Sequence, residues 1–364
     1  DNLAFNFHSV KKFIGGGVRY MGIVKADAYG HGAVDCARRL EREGIDWFGV
    51  ALPKEGVELR KAGIRKRILC LGGFWKGQEK ELLNYNLTPV IYQLEQARYF
   101  NDAAKERNST AEIHVKVDTG MNRIGVRHDA IADFAANLRK FENLHLEGLM
   151  THFAAADDLK ETGFTDLQIA RFGEAVESFE KNGFNPIYKD MANSPASVAH
   201  PGSHGNMVRL GGVIYGLGDD VLPKEIPNPD LRPVLSLYTK IAYLKDVPEG
   251  ETLGYGRTYT LKRDSRIATV PIGYQDGYRR GLSNKAYAIL RGTRVPIVGT
   301  ISMDWTLLDV TDVKDAVQDD TVTLIGASNR EKIAASDLAG ALETISYEIT
   351  CGISKRVERK VLAK

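Results

Sequence analysis

Only three cysteines occur in 364 residues: Cys36, Cys70 and Cys351. Their odd number and wide spacing exclude a disulfide framework and any metal-binding thiol pattern, so no metal site is expected. Charge of one sign is also missing. Lys+Arg 49 against Asp+Glu 47 leaves a net charge of +2, which argues against bulk binding to nucleic acid or an anionic membrane. No apolar run approaches the roughly 20 residues that a membrane helix needs. The first residues, Asp1-Asn2-Leu3-Ala4-Phe5-Asn6, lack the charged and apolar regions of a secretory signal, so a reducing cytoplasm is the expected compartment. Internal repeats and low-complexity tracts are absent as well.

What the chain does have is enough apolar residue, 43%, for a sizeable core, and length for a barrel-sized domain plus a smaller one. From residue 19 to 216, short apolar runs alternate with amphipathic stretches. Strands are expected at Tyr20–Val24, Trp47–Leu52, Arg67–Leu71, Pro89–Tyr92, Ala111–Val117, Leu144–Met150, Ile187–Met191 and Met207–Gly216. Helices are expected at Ala33–Arg42, Lys54–Lys61, Leu94–Arg107, Ala130–Phe141 and Leu167–Lys181. Eight strand–helix units over about 200 residues fit an α/β fold of the (β/α)8 barrel type. An open doubly wound sheet competes with it, but no Gly-x-Gly-x-x-Gly turn follows the first strand.

Near Leu231-Arg232-Pro233 the pattern changes, so a boundary near 230 divides a barrel (1–230) from a mostly-β C-terminal domain (231–364). Strands are expected there at Leu235–Leu244, Ile267–Ile272, Tyr287–Leu290, Val295–Val298, Trp305–Val310 and Thr321–Ile325, with one helix at Glu331–Leu342.

In a (β/α)8 barrel, chemistry collects at the C-terminal ends of the strands. After the first strand, Val24-Lys25-Ala26-Asp27-Ala28-Tyr29-Gly30-His31-Gly32 places a lysine before a Gly-rich turn. A lysine held at a strand mouth suits an amine that must act as a neutral nucleophile; the ordinary alternative is a snorkelling lysine. Arg123 follows the fifth strand, His152 the sixth, Asn193-Ser194 the seventh; Arg209, Gly211 and Gly212 belong to the eighth. Singly, these have plain explanations: a loop cation, a rim histidine, an N-cap, a bulge. Together they make a basic cluster, a Schiff-base lysine and a backbone nest suited to phosphate, without metal ligands. That combination points to pyridoxal 5'-phosphate.

These residues fall in segments that resemble the alanine racemase family. The lysine segment above is one. The others are Lys116-Val117-Asp118-Thr119-Gly120-Met121-Asn122-Arg123, Thr151-His152-Phe153, Ala192-Asn193-Ser194, Arg209-Leu210-Gly211, Gly254-Tyr255-Gly256-Arg257, Gly273-Tyr274-Gln275-Asp276, Ser302-Met303-Asp304 and Tyr347-Glu348. The resemblance implies a homodimer with shared active sites, the cofactor pyridoxal 5'-phosphate, and interconversion of L- and D-alanine for bacterial peptidoglycan. It implies that Lys25 carries the cofactor and is one catalytic base, while Tyr255 of a second copy is the other. Tyr29, Ser194, Tyr347, Gly211 and Gly212 would hold the phosphate. Arg209 would face the ring nitrogen, with His152 linking it to Tyr255. Arg123 would contact the substrate carboxylate, and Met303 and Tyr274 would line the entrance. Lys116 matches a position that is often carbamylated in the family. Family chains usually carry a further strand ahead of the position of Asp1, so a trimmed chain or a looser domain interface is expected.

The rivals are a serine or broad-specificity racemase, distinguished by the pocket around Met303 and Tyr274, and a non-catalytic pyridoxal-phosphate-binding barrel, which leaves Tyr255 without a use. An ornithine-type decarboxylase barrel would need an acid where this chain has Arg209.

Overall fold

The computed structural model describes residues 1–362. The chain divides into two compact units, Asp1–Arg232 and a second that begins at Pro233.

In the first unit eight parallel strands close on themselves. They are β1 (Arg19–Ile23), β2 (Trp47–Val50), β3 (Arg67–Cys70), β4 (Thr88–Ile91), β5 (Ala111–Asp118), β6 (Leu144–Met150), β7 (Tyr188–Asp190) and β8 (Met207–Leu210). Each pairs with the next, and β8 returns to β1 through Arg19↔Met207 and Met21↔Arg209. All eight expected strands are present. The last is shorter than expected, because Gly212–Tyr215 folds into a single tight helical turn. Helices follow the strands because apolar residues recur at helical spacing. Ala33–Arg42 buries Ala33, Cys36, Ala37 and Leu40 on one stripe and leaves its arginines outward. A short helix at Glu79–Asn84 was not foreseen; its six residues are too few to show a period.

The barrel interior is filled by Met21, Ile23, Trp47, Leu69, Val90, Met150 and Met207. Toward the N-terminal ends of the strands, Arg67 is salt-bridged to Glu147 and Glu112, and its guanidinium lies 4.2 Å from the Trp47 ring centre. His114 is fully buried between Trp47 and Tyr188, and its Nε2 lies 3.6 Å from Glu147. The space for that imidazole exists because residue 148 is glycine: a Cβ there would come within 2.5 Å of the ring. Gly148→Ala is therefore expected to destabilise the barrel by about 1–3 kcal/mol, through overpacking of a closed core. A lowered denaturant midpoint with unchanged slope would show it; an unchanged midpoint would contradict it.

The second unit is mostly antiparallel. Thr321–Ser328 is flanked by Leu237–Lys240, Tyr287–Leu290 and Glu331–Ile333, and Thr293–Pro296 extends the sheet. Tyr243–Val247, Ser265–Val270 and Thr306–Asp309 form a second sheet, and Leu253, Leu261, Ile267 and Val298 pack a core. Two expectations are corrected here. Leu235–Leu244 is two strands, broken where buried Ile241 bonds to the Asp319-Asp320 turn instead of continuing the ladder. Glu331–Leu342 is a strand, Glu331–Ile333, followed by a helix, Ala335–Ala341, because pairing with Thr321–Ser328 overrides the helical preference of Glu-Lys. Among the described residues no helix is long and apolar enough to cross a membrane.

Candidate active site

Lys25 stands just past β1, and the backbone beyond it is unusual. Ala26, Asp27, Ala28 and Tyr29 all lie in the left-handed helical region, with φ between 51° and 55°. For non-glycine residues this costs roughly 1–2 kcal/mol each, so the surroundings must hold it. They do so with carboxylates. Glu55 accepts from Ala26 N at 2.7 Å with one oxygen, and from Ala51 N at 2.7 Å and Leu52 N at 3.1 Å with the other. Asp27 accepts from Ala33 N at 2.7 Å, which ties the turn to the helix that follows. The strained turn delivers Tyr29 to the end of β8.

There Tyr29, Ser194 and Gly211 converge. Gly211 N donates to Ser194 Oγ at 2.9 Å, and a Cβ on Gly211 would lie 2.7 Å from the Tyr29 hydroxyl. The short helix Ser194–Ala199 is capped by Asn193, whose side chain accepts from Ala196 N at 3.1 Å. The N-cap explanation for Ser194 is thereby corrected: Asn193 caps, and the Ser194 hydroxyl accepts from Gly211 N. Two hydroxyls and close-lying glycine backbone form a cradle that any Cβ would fill, a fit for a phosphate.

A buried cationic group occupies the ends of β5 to β8. Arg209 pairs with Asp190, and its Nη2 donates to Thr151 O at 3.0 Å and Met191 O at 2.9 Å. The same nitrogen lies 3.2 Å from His152 Nδ1. Burial, then the charges of Arg209, Lys116, Arg123 and Lys25, holds His152 well below the usual imidazole range. It is therefore neutral, with Nδ1 accepting from Arg209. Burial also pushes the Lys116 amine down to about 7, aided by Arg209, Arg123 and Lys25 and opposed by Asp190. The loop carrying Arg123 is shaped by Asp118, which accepts from Gly120 N and Asn122 N, each at 3.0 Å. Lys25, Lys116, Arg123, His152 and Arg209 thus form one electrostatic cluster.

Tyr255, Tyr274, Met303 and Tyr347 belong to the second unit. Tyr255 is 72% exposed, Met303 50% and Tyr274 41%. One segment ties the first three together. Thr300 Oγ1 donates to Tyr255 O at 2.8 Å, and Tyr274 N and Gln275 N donate to Ser302 O and Met303 O at 3.0 and 3.1 Å. Gly273 permits this approach, since a Cβ there would lie 2.3 Å from Ser302 O. Tyr347 sits on the helix Ser346–Gly352.

Comparison with known proteins decides the family. Residues 1–219 match the model of the alanine racemase N-terminal domain, and residues 234–361 match that of the C-terminal domain. The chain belongs to the alanine racemase family. It is 42% identical to the alanine racemase of Geobacter sulfurreducens, over 99% of this chain and 94% of that one. The alanine racemase of Halothermothrix orenii is also 42% identical, over 98% and 94%. Among solved structures, the alanine racemase of Clostridium difficile 630 superposes with a TM-score of 0.92 at 36% identity, covering 98% of this chain and 92% of that one. The alanine racemase of Bacillus anthracis with bound L-Ala-P gives 0.92 at 35% identity, with the same coverage. Within this alanine racemase fold, sequence reasoning missed Asp190 and Glu55. Asp190 acts on Arg209, 19 residues away, so no local spacing betrays it; Glu55 carries a local signal as the third residue of the helix Pro53–Lys61, bonding back to the Leu52 backbone, but its contact with Ala26 is long-range.

Proposed function

We propose that this member of the family interconverts L-alanine and D-alanine by moving the Cα proton between two opposed bases, with pyridoxal 5'-phosphate held on Lys25. The observation that carries this reading is the pairing of the Tyr29–Ser194–Gly211 cradle with a strand-end lysine inside a buried cationic cluster. The chemistry the cofactor supplies when bound is electron withdrawal from Cα, which acidifies its proton.

The chain's own residues do the rest. Lys25 would hold the cofactor and serve as base on one face; a base confined to one face needs a counterpart, and Tyr255 of the second copy would be that counterpart. Tyr29, Ser194, Tyr347 and the backbone of Gly211 and Gly212 hold the phosphate. Arg209 would face the ring nitrogen of the bound cofactor. It is permanently protonated and does not surrender its proton, so it would limit charge build-up there and suppress side transamination. Neutral His152 accepts from Arg209 through Nδ1, and its other ring nitrogen would link it to Tyr255 of the second copy. Arg123 binds the substrate carboxylate, and Met303 and Tyr274 line the entrance. The exposure of Tyr255 in its own chain supports a homodimer in which this tyrosine completes the partner's site. The product would serve cytoplasmic peptidoglycan synthesis.

Lys116, the candidate carbamylation site that the resemblance marks, is proposed to carry a carbamate. An ordinary lysine stays protonated near neutrality, whereas burial pushes this amine down to about 7. The neutral amine adds to CO2, forming an N–C bond and releasing one proton, and the resulting anion is matched by Arg123 and Arg209. Loading should rise as pH increases from about 6 to about 8, the direction in which the amine loses its proton. A carbon-13 carbamate signal from labelled bicarbonate, absent in Lys116→Met, checks this; a signal independent of pH over that range contradicts it.

Chiral analysis tests the main reading. The cofactor-loaded protein is incubated with single enantiomers of alanine, serine, lysine and arginine. Alanine alone should approach an equal mixture. Conversion of the larger amino acids would make the protein a broad-specificity racemase. No conversion with cofactor bound would make it a binding protein.

A further inference from the structure

Asp190 ends β7 and is fully buried, and none of the roles above uses it. One of its carboxylate oxygens pairs with Arg209. The other, Oδ2, has no hydrogen-bond partner among the described residues. A buried carboxylate that is only half satisfied is costly, so its retention asks for a reason beyond packing. The reason lies in what surrounds it. Lys25 and Arg123 bear on the same region, and Arg209 adds a further charge that can never be shed. Asp190 is the anion bonded directly to that guanidinium. With Nη1 on Asp190 and Nη2 on Thr151 O and Met191 O, the group cannot swing toward solvent, and its edge stays against His152.

We propose that Asp190 is a positioning residue for Arg209: its carboxylate fixes the guanidinium's orientation and offsets its charge, so that the donor presented at the ring nitrogen is one half of a buried ion pair. The inference rests on the reading that Arg209 faces the cofactor ring. An unpaired arginine would be a stronger donor and a full positive charge. An ion-paired one is a milder donor, held in place without raising the local field further.

Asp190→Asn keeps shape and an acceptor oxygen while removing the charge. In the loaded variant, the pH at which the visible absorbance of the bound cofactor changes should fall by about one unit, since added positive charge disfavours the protonated chromophore. The ratio of transamination to racemisation should rise several-fold. A structural defect alone would lower both rates together and leave the ratio unmoved. Against an Arg209→Gln background, adding Asp190→Asn should leave the ratio of transamination to racemisation unmoved, because that ratio acts through the Arg209 donor, while the midpoint, which reads the local charge, should still fall. An unchanged ratio in Asp190→Asn, or an equal change of the ratio in the Arg209→Gln background, would overturn the inference. If Asp190→Asn does not fold, the wild-type holoenzyme labelled with nitrogen-15 arginine decides. Separate, slowly exchanging Arg209 guanidinium signals are expected, and a single fast-exchanging signal would overturn the proposal. Failure of the underlying reading looks different: the wild type would then bind no cofactor or racemise nothing.

Discussion

Replacing Lys25 by alanine is expected to lower racemisation by at least about a thousandfold, with little change in thermal stability. Lys25 is only partly buried and lies beyond the end of β1, so the barrel core does not depend on its side chain. On the proposed mechanism its loss would remove both the covalent tether for the cofactor and one of the two bases. Two measurements separate these effects. Borohydride reduction should fix cofactor to the wild-type chain at the peptide containing Lys25 and leave Lys25→Ala unlabelled. The variant should still bind pyridoxal phosphate more weakly, because Tyr29, Ser194 and Gly211 remain in place. Fixation of cofactor at Lys116 in the wild type would contradict the assignment. Lys116 is the rival to exclude, since burial pushes its amine, when it carries no carbamate, down to about 7.

Tyr255→Phe is the second large effect. Removing the phenol leaves one face of Cα without a proton acceptor, and a loss of about a hundred- to ten-thousandfold in racemisation is expected. The loss has a signature that a misfolded variant lacks. In deuterium oxide, the enantiomer whose Cα proton faces Lys25 should still exchange that proton, now without inversion, while the other enantiomer should not exchange. Equal residual exchange from both enantiomers would contradict a two-base arrangement. The 72% exposure of Tyr255 in its own chain makes a stability change small, so the effect reads on chemistry.

Much of this was legible beforehand because the barrel is built from local periodicities. Apolar runs such as Leu144–Met150 and stripes such as Ala33–Arg42 announce their elements in a single stretch, and all eight barrel strands lie where such runs fall. Where long-range pairing decides the outcome, local reading failed. Glu331–Ile333 is a strand because Gly326–Ser328 pairs with it, and no property of Glu-Lys-Ile alone says so. The site shows the same division. Lys25, His152, Ser194 and Arg209 stood out at strand ends. The left-handed turn Ala26–Tyr29 did not, since it holds no glycine and is imposed by Glu55, 29 residues from Ala26 in the chain. Asp190 was equally silent, a single acid in a strand whose partner lies 19 residues away.

The proposed mechanism joins Lys25 of one subunit and Tyr255 of another in one active site. Mixing Lys25→Ala with Tyr255→Phe under conditions of subunit exchange tests it most directly. Each hybrid dimer would then hold one intact site and one doubly defective site. At equal, random mixing the account predicts recovery to about a quarter of wild-type activity from two nearly inactive parents. Demonstrated exchange with no recovery would contradict the shared site.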